Sequence, residues 1–314
     1  MAIFESRLRK RLDGKRAELD ALRPLPPPAV KKLRKQFEVE MTYNSNAIEG
    51  NRLTLKETFL VLSEGITVRN KPLKDHLEAR DHYEALEFIA DLVAHDKKHT
   101  LSQHLIRTLH ALIVKDTFKE EAGKYRTAEV RITGSKHRPP QAWDVPERMG
   151  KLIQHCGHPG KVHPVEQAAR LHHEFVNIHP FSDGNGRTGR LLMNVLLMQK
   201  GYPLAVILKN DRKKYYDALS RADGGDLTAI VRLVAQSVER SLDIYLRALS
   251  AGKGGSAHSA DKTLSQLAKE TRYSAKYLNL LVRQGKLEAR KEGRNWVSSR
   301  AAVRRYEMTR LRKR

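Results

Sequence analysis

The residues of this chain best equipped for chemistry are concentrated in one stretch, His179-Pro180-Phe181-Ser182-Asp183-Gly184-Asn185-Gly186-Arg187-Thr188-Gly189-Arg190. It lies between two segments of helical periodicity, Val165 to Ile178 and Leu191 to Met198. Its glycines therefore flank the start of a helix, where free backbone N–H groups and the positive dipole end create an anion site. Arg187 and Arg190 stand three apart and share one helical face. Two cations at a helix N-terminus oppose the dipole and are unfavourable unless an anion joins them, so the pattern predicts a bound polyphosphate. Asp183 suits Mg²⁺, which takes one or two carboxylates beside phosphate oxygens. His179 titrates near neutral pH and is placed to act as a general base.

Three other readings of these residues fail on context. Gly184, Gly186 and Gly189 fit G-x-G-x-x-G, but the run follows a helical segment instead of a strand, so the dinucleotide-binding context is missing. No Gly-Lys pair precedes Ser or Thr, which excludes a Walker A loop. His173-Glu174 and His179 are spaced so that the two imidazoles leave one helical face, which excludes the paired-histidine zinc motif. His155, His158, His163 and His172 read as surface or core groups.

The elements that must position the loop are mostly helical. After the prolines at 24–28, Leu33, Phe37, Met41, Asn44 and Ile48 form one stripe of a helix ending near Gly50. Thr54-Leu55-Lys56-Glu57 is a capping box that opens another helix toward Leu62. His76 to Val93 and Leu101 to Val114 continue at helical spacing. Leu191 to Met198 is apolar nearly all round, which predicts a central helix. Strand signals are scarce, and Glu129 to Thr133 before Gly134 is the best hairpin candidate.

The chain has 314 residues, about two domains' worth at roughly 150 per domain, and 40% hydrophobic residues suffice for a sizeable core. A single cysteine, Cys156, excludes an intrachain disulfide framework and points to a reducing, cytoplasmic setting. The run at Leu191–Met198 is interrupted by Asn194 and far shorter than the ~20 residues a bilayer requires. The start, MAIFESRLRKRLDGKR, lacks the apolar core of a secretory signal. The net charge of +23 is unevenly placed: residues 263–314 hold 15 Lys/Arg against 4 Asp/Glu, and residues 1–35 hold 11 against 4. The predicted organisation is a basic, proline-ended arm at 1–29, a helical body at 30–249, a Gly/Ser/Ala linker at 250–262 and a basic module at 263–314.

Residues 179–190 resemble the signature of the Fic family, H-x-F-x-[D/E]-G-N-G-R-x-x-R, at every fixed position. The resemblance extends over most of residues 30–245. It includes Gly123-Lys124-Tyr125-Arg126 leading to Val130-Arg131-Ile132-Thr133-Gly134, similar to the family's flap hairpin, and Asp211-Arg212-Lys213-Lys214-Tyr215-Tyr216. It implies an all-α Fic fold with a small β-hairpin flap, moving AMP from ATP onto a Ser, Thr or Tyr hydroxyl of a protein. By resemblance His179 takes the hydroxyl proton and Asp183 holds Mg²⁺. Gly184, Asn185 and Gly186 cradle phosphate oxygens, Arg187 and Arg190 hold the leaving pyrophosphate, and Tyr216 lines the base. Phe181 anchors the loop in the core, and the flap docks an extended target segment. Asp223 stands where related enzymes often place Asn in the purine pocket, which leaves the choice between ATP and UTP open.

Upstream, Ser45-Asn46-Ala47-Ile48-Glu49-Gly50 resembles the family's inhibitory [S/T]-x-x-x-E-[G/N] sequence on a helix over 31–50. In that class Glu49 pairs with Arg190 and displaces the γ-phosphate. The same fold also hosts the removal of AMP by hydrolysis, and the sequence does not separate the two directions. A regulator that senses nucleotide without catalysis is the rival from another class, opposed by the intact His179.

In the basic module, Thr263-Leu264-Ser265-Gln266 caps a short helix, and Ser274 caps a second one carrying Tyr277, Leu278, Leu281 and Val282 and closed by Gly285. Leu287–Arg290 and Asn295–Val297 suggest a small hairpin wing. The pattern predicts a winged helix-turn-helix that binds DNA, with Lys276, Asn279 and Arg283 toward the groove. The expected partners are thus a protein substrate and DNA, with no membrane and with a homodimer left open.

Overall fold

Leu8, Leu12 and Leu19 recur at helical spacing within a heavily charged segment, and in the computed structural model that segment is a helix, α1 (Ser6–Ala21), with all three leucines buried. The structure describes residues 3–95, 101–157, 162–253, 262–284, 286–293 and 295–311. They form two compact units, 1–247 and 248–314. The expected basic arm is therefore largely a docked helix: Arg11 and Lys15 pair with Glu239, and Lys15 also meets Asp243 at 2.7 Å. Its leucines are buried while Arg7, Arg9, Lys10 and Arg11 stay exposed.

Helix α2 (Pro27–Ile48) starts on prolines at its first positions, where a missing N–H costs nothing. It buries Leu33, Phe37, Met41, Asn44, Ser45 and Ile48. Thr54 closes a complete capping box with Glu57 at the start of α3 (Leu55–Glu64), and Gly65 ends that helix in the left-handed region. Then come α4 (Leu73–His95), α5 (Gln103–Ile113, capped by Ser102), α6 (Val145–Gly157), α7 (Pro164–Ile178) and α8 (Asn185–Gln199). After α9 (Arg212–Asp223), α10 (Thr228–Lys253) runs on through Ser250–Lys253, the first part of the expected linker. The remainder of that linker up to 261 lies outside the described residues.

Helix α8 is central: Leu191, Leu192, Met193, Val195 and Leu197 are buried. Asn194, the polar residue in that run, is used fully. Its amide donates to Arg190 O and Ala205 O, and its Oδ1 accepts from Ala205 N, tying the following chain back onto the helix. Gly189 lets α8 lie close on α7, since a Cβ there would meet His172 Nδ1 and Phe175 Cδ1 at 3.0 Å.

The expected hairpin at Glu129–Gly134 is not paired. Residues 127–141 contain no strand and make one turn, Ser135 N to Ile132 O at 3.1 Å. The returning arm would contain Pro139 and Pro140, which have no N–H for a ladder. Arg126 also claims the Ala128 and Pro140 carbonyls at the base of the segment.

In the second unit, β1 (Lys262–Thr263) precedes α11 (Leu264–Glu270), and α12 (Ala275–Arg283) follows a short turn. Then β2 (Arg290–Glu292) and β3 (Asn295–Ser298) lead to α13 (Arg300–Leu311). The antiparallel sheet has the order β1-β3-β2, with Thr263 opposite Val297 and Lys291 opposite Trp296. Thr263 and Ser274 cap α11 and α12. Gly285, expected to close α12, lies outside the described residues. Leu264, Leu267, Tyr273, Leu278, Leu281, Leu287 and Val303 form the core.

Candidate active site

The loop from α7 to α8 is held in shape before any ligand arrives. Phe181 is fully buried and stacks on His110, with ring centroids 3.6 Å apart. His110 accepts from Gly123 N on Nδ1 (3.0 Å) and donates from Nε2 to Asp183 O (3.0 Å). Burial lowers the His110 pKa to about 4, so it is a neutral strut. Asn185 accepts from Phe181 N (3.0 Å) and donates to Phe181 O (2.8 Å), so its side chain staples the loop and only its backbone N–H is left to face a phosphate.

His179 caps α7 with φ 52° and ψ 59°, a left-handed conformation that costs a non-glycine residue about 1–3 kcal/mol. Arg126 holds it there, donating from Nε to His179 O and from its backbone to Pro180 O, both at 2.9 Å. His179 Nδ1 donates to Val176 O at 3.2 Å, which leaves Nε2 as the free lone pair. Burial is the main cause that lowers the His179 pKa below its ordinary 6.5, and the charge of Arg126 acts in the same direction. A base must be unprotonated, so the acid limb of the pH–rate profile is expected below pH 6.5 with a plateau by neutrality. Initial rates across pH 5–8 check this, and a limb above 7 would contradict it.

At the start of α8, the N–H groups of its first turn have no partner within the helix. Asp183 stands beside them. Its Oδ1 accepts from Gly184 N at 2.6 Å and lies 3.5 Å from Arg187 Nη2. Burial alone would raise the Asp183 pKa, but Arg187 and the Gly184 N–H outweigh it, and the net shift is downward. The carboxylate is ionised and 45% exposed, with no hydrogen bond to its Oδ2 among the described residues. That donor set fits Mg²⁺, which takes few protein ligands and completes its shell with phosphate oxygens. No cluster of three or more metal-ligating side chains occurs among the described residues.

The two arginines are buried and differently occupied. Arg190 donates from Nε to Ser45 Oγ (2.9 Å) and from Nη2 to Ser45 O (2.9 Å) and Glu49 Oε1 (2.7 Å). Its Nη1 donates to Tyr215 OH at 3.3 Å. The Glu49 carboxylate lies over Gly186, where an added Cβ would come within 2.2 Å of Oε1. Arg212 fixes that end of α2 by donating from Nε to Ile48 O (2.7 Å), with its guanidinium 4.9 Å over the Tyr216 ring. Arg187 has only longer contacts, to Glu78 and Asp183, and its Nε and Nη1 lack a hydrogen-bond partner.

Of the flap residues, Val130 and Ile132 are half-buried, while Arg131, Thr133 and Gly134 are exposed. His137 anchors the segment to α7, donating from Nε2 to Asn177 O at 2.8 Å. Asp223 Oδ1 is engaged by His173 Nε2 (3.0 Å) and Asn177 Nδ2 (2.9 Å). In the second unit, Lys276, Asn279 and Arg283 share the outer side of α12 with Leu280, lining a concavity of about 720 Å³. The roles of His110, Arg126, Arg212 and Glu78 are visible only in the structure. Each is a single residue far along the chain from its partner, although Arg126 and Arg212 sit inside segments that resemble the family.

Buried guanidinium groups at a helix N-terminus, an ionised carboxylate and a neutral histidine thus lie together in a mostly helical protein. Similarity narrows the class. Residues 100–197 match the model of the Fic/DOC family. Over 238 residues the chain is 35% identical to the protein adenylyltransferase Fic of Nematostella vectensis, covering 75% of this chain and 55% of that protein. Over 244 residues it is 38% identical to the protein of the same name from Culex quinquefasciatus, covering 77% and 48%. The chain spans about half the length of these curated relatives. The crystal structure of a Fic domain containing signaling protein from Bacteroides thetaiotaomicron superposes with a TM-score of 0.71 at 32% identity, covering 77% of this chain and 97% of that one. The chain belongs to the Fic family.

Proposed function

We propose that this protein is an autoinhibited adenylyltransferase that moves AMP from ATP onto a hydroxyl of a protein, itself included. The observation that carries the reading is the unprotonated Nε2 of His179 beside a helix N-terminus backed by Arg187 and Arg190. The hydroxyl oxygen bonds to the α-phosphorus as the bond to pyrophosphate breaks, and His179 Nε2 takes the hydroxyl proton. The first-turn N–H groups of α8 and Arg187 stabilise charge on the phosphate oxygens, as does Arg190 once Glu49 releases it. Asp183 would hold Mg²⁺, which supplies further positive charge to the polyphosphate. Among the described residues, the backbone N–H groups of Val130–Thr133 make no hydrogen bond, which suits addition of an extended target segment. Glu49, by holding Arg190, keeps the enzyme off. Mass spectrometry of the Glu49→Gly protein after incubation with ATP and Mg²⁺ tests the reading. An AMP adduct supports it, whereas loss of AMP from a pre-modified protein without any adduct formation favours the removal reaction.

For the second unit we infer duplex DNA as the partner, with α12 as the reading helix and β2–β3 as the wing. Lys276 and Arg283 make no ion pair among the described residues, and Leu280 is 47% exposed between them. An apolar side chain flanked by unpaired cations suits a thymine methyl between phosphates. Binding of the full chain to duplex DNA should weaken steeply with salt. The Lys276→Ala/Arg283→Ala variant should lower the slope of log K against log salt by about two. Absence of binding at low salt, or an unchanged slope, would refute this partner.

A further inference from the structure

Glu78 is a residue of α4 that the chemistry above does not use, yet it is buried against the first of the two arginines. Its Oε1 lies 3.3 Å from Arg187 Nη1 and 3.7 Å from Lys74 Nζ. Its Oε2 accepts from Asn51 Nδ2 at 2.9 Å, and its backbone O accepts from Asn46 Nδ2 at 3.2 Å. Asn51 is itself fixed, donating to Asp75 O and accepting from Leu53 N. The carboxylate is thus held from one side and presents charge on the other.

The contact with Arg187 differs in kind from that of Glu49 with Arg190. Glu49 and Ser45 accept hydrogen bonds from Nε and Nη2 of Arg190, and Tyr215 OH accepts one from Nη1. Glu78 attracts Arg187 without accepting one: Nη1 and Nε, on a side chain only 2% exposed, have no hydrogen-bond partner. A buried guanidinium would not keep two donors unsatisfied without charge compensation nearby. Asp183 at 3.5 Å compensates part of that charge, from a side chain that is itself 45% exposed. Glu78 is the more buried of the two carboxylates.

We propose that Glu78 is a positioning residue: held by Asn51, it fixes the Arg187 guanidinium by charge while leaving its donors available to the β- or γ-phosphate of the nucleotide. The arrangement sets the two arginines in opposite states, Arg190 occupied by the end of α2 and Arg187 ready. This inference rests on the adenylyltransferase reading. In Glu78→Gln the amide can still accept from Asn51, but it has no charge, so the guanidinium loses its anchor.

The test uses the Glu49→Gly protein as background, so that activity is measurable. Adding Glu78→Gln should raise KM for ATP roughly ten-fold and weaken inhibition by pyrophosphate to a similar extent. Inhibition by adenosine, which has no phosphate, should stay within two-fold, and Tm should stay within a few degrees. A role confined to packing would instead weaken pyrophosphate and adenosine together with a fall in Tm, and that outcome overturns the proposal. An unchanged or lowered KM for ATP overturns it too, because Glu78 would then be neutral or a competitor of the phosphates. If the Glu49→Gly protein itself transfers no AMP, it is the underlying activity that fails; pyrophosphate and adenosine binding by calorimetry then still decide the role of Glu78.

Discussion

Replacing His179 with alanine is expected to abolish AMP transfer while leaving nucleotide binding within a few-fold. General-base catalysis contributes about 10²–10⁴-fold in rate. The buried imidazoles of α5 and α7 do not replace it: His110 is locked between Gly123 N and Asp183 O, and His172 faces Tyr215 OH behind Arg190. Binding, by contrast, is expected to rest on the N–H groups of α8, Asp183 and the arginines, none of which uses the imidazole as a support. The loop's scaffold is Phe181, Asn185, His110 and Arg126, and the Arg126 contacts run to backbone oxygens that alanine retains. Labelling with radioactive ATP in the Glu49→Gly background, beside a calorimetric ATP titration, separates the two quantities. Undiminished labelling would remove His179 from its assigned role. Loss of ATP binding along with labelling would show instead that the left-handed backbone at 179 needs the histidine side chain.

What could be read in the sequence is what the chemistry keeps contiguous. The N-terminus of a helix is made by consecutive residues, so Gly184 to Arg190 announces its own geometry. The α2 stripe gave the helix carrying Ser45 and Glu49 for the same local reason: four residues is one turn, and one turn is the reach of a single guanidinium. The supports of the site were illegible because they act singly across long separations. His110 under Phe181, Arg126 behind His179 and Glu78 against Arg187 obey no spacing rule. Each is a polar residue whose burial becomes reasonable only when its partner is in view. Helix α1 was hidden differently: its leucine stripe is regular, but the surrounding Arg and Lys side chains look like a solvated arm until Glu239 and Asp243 stand opposite them. The flap failed as a hairpin because turn and strand signals on one arm say nothing about the prolines on the other.

Replacing Glu49 with glycine is expected to raise self-adenylylation with ATP and Mg²⁺ by roughly ten- to hundred-fold, most visibly at low ATP. The range follows from the contact itself. A hydrogen bond between charged groups contributes about 1.5–3 kcal/mol, and each 1.4 kcal/mol is a factor of ten in binding. Burial of Arg190 disfavours its charge, and Glu49 together with Tyr215 and Tyr216 more than restores it. The guanidinium in that position requires an anion, either the tethered carboxylate or a phosphate of the nucleotide. The carboxylate also blocks space, since it lies against Gly186 in the first turn of α8. Removing it frees both the charge and the cradle, and it leaves the hold of Arg212 on the Ile48 carbonyl, so the end of α2 stays in place. Arg190→Ala in the Glu49→Gly background should cancel the gain, because the phosphate then finds no partner. Ser45→Ala should release less, since it removes one neutral acceptor and leaves the ion pair. If Glu49→Gly labels no faster than the unaltered protein, Glu49 serves only as the end of a helix or the enzyme works in the removal direction. An equal gain with Arg190→Ala present would show that steric relief over Gly186, and not the freed guanidinium, carries the activation.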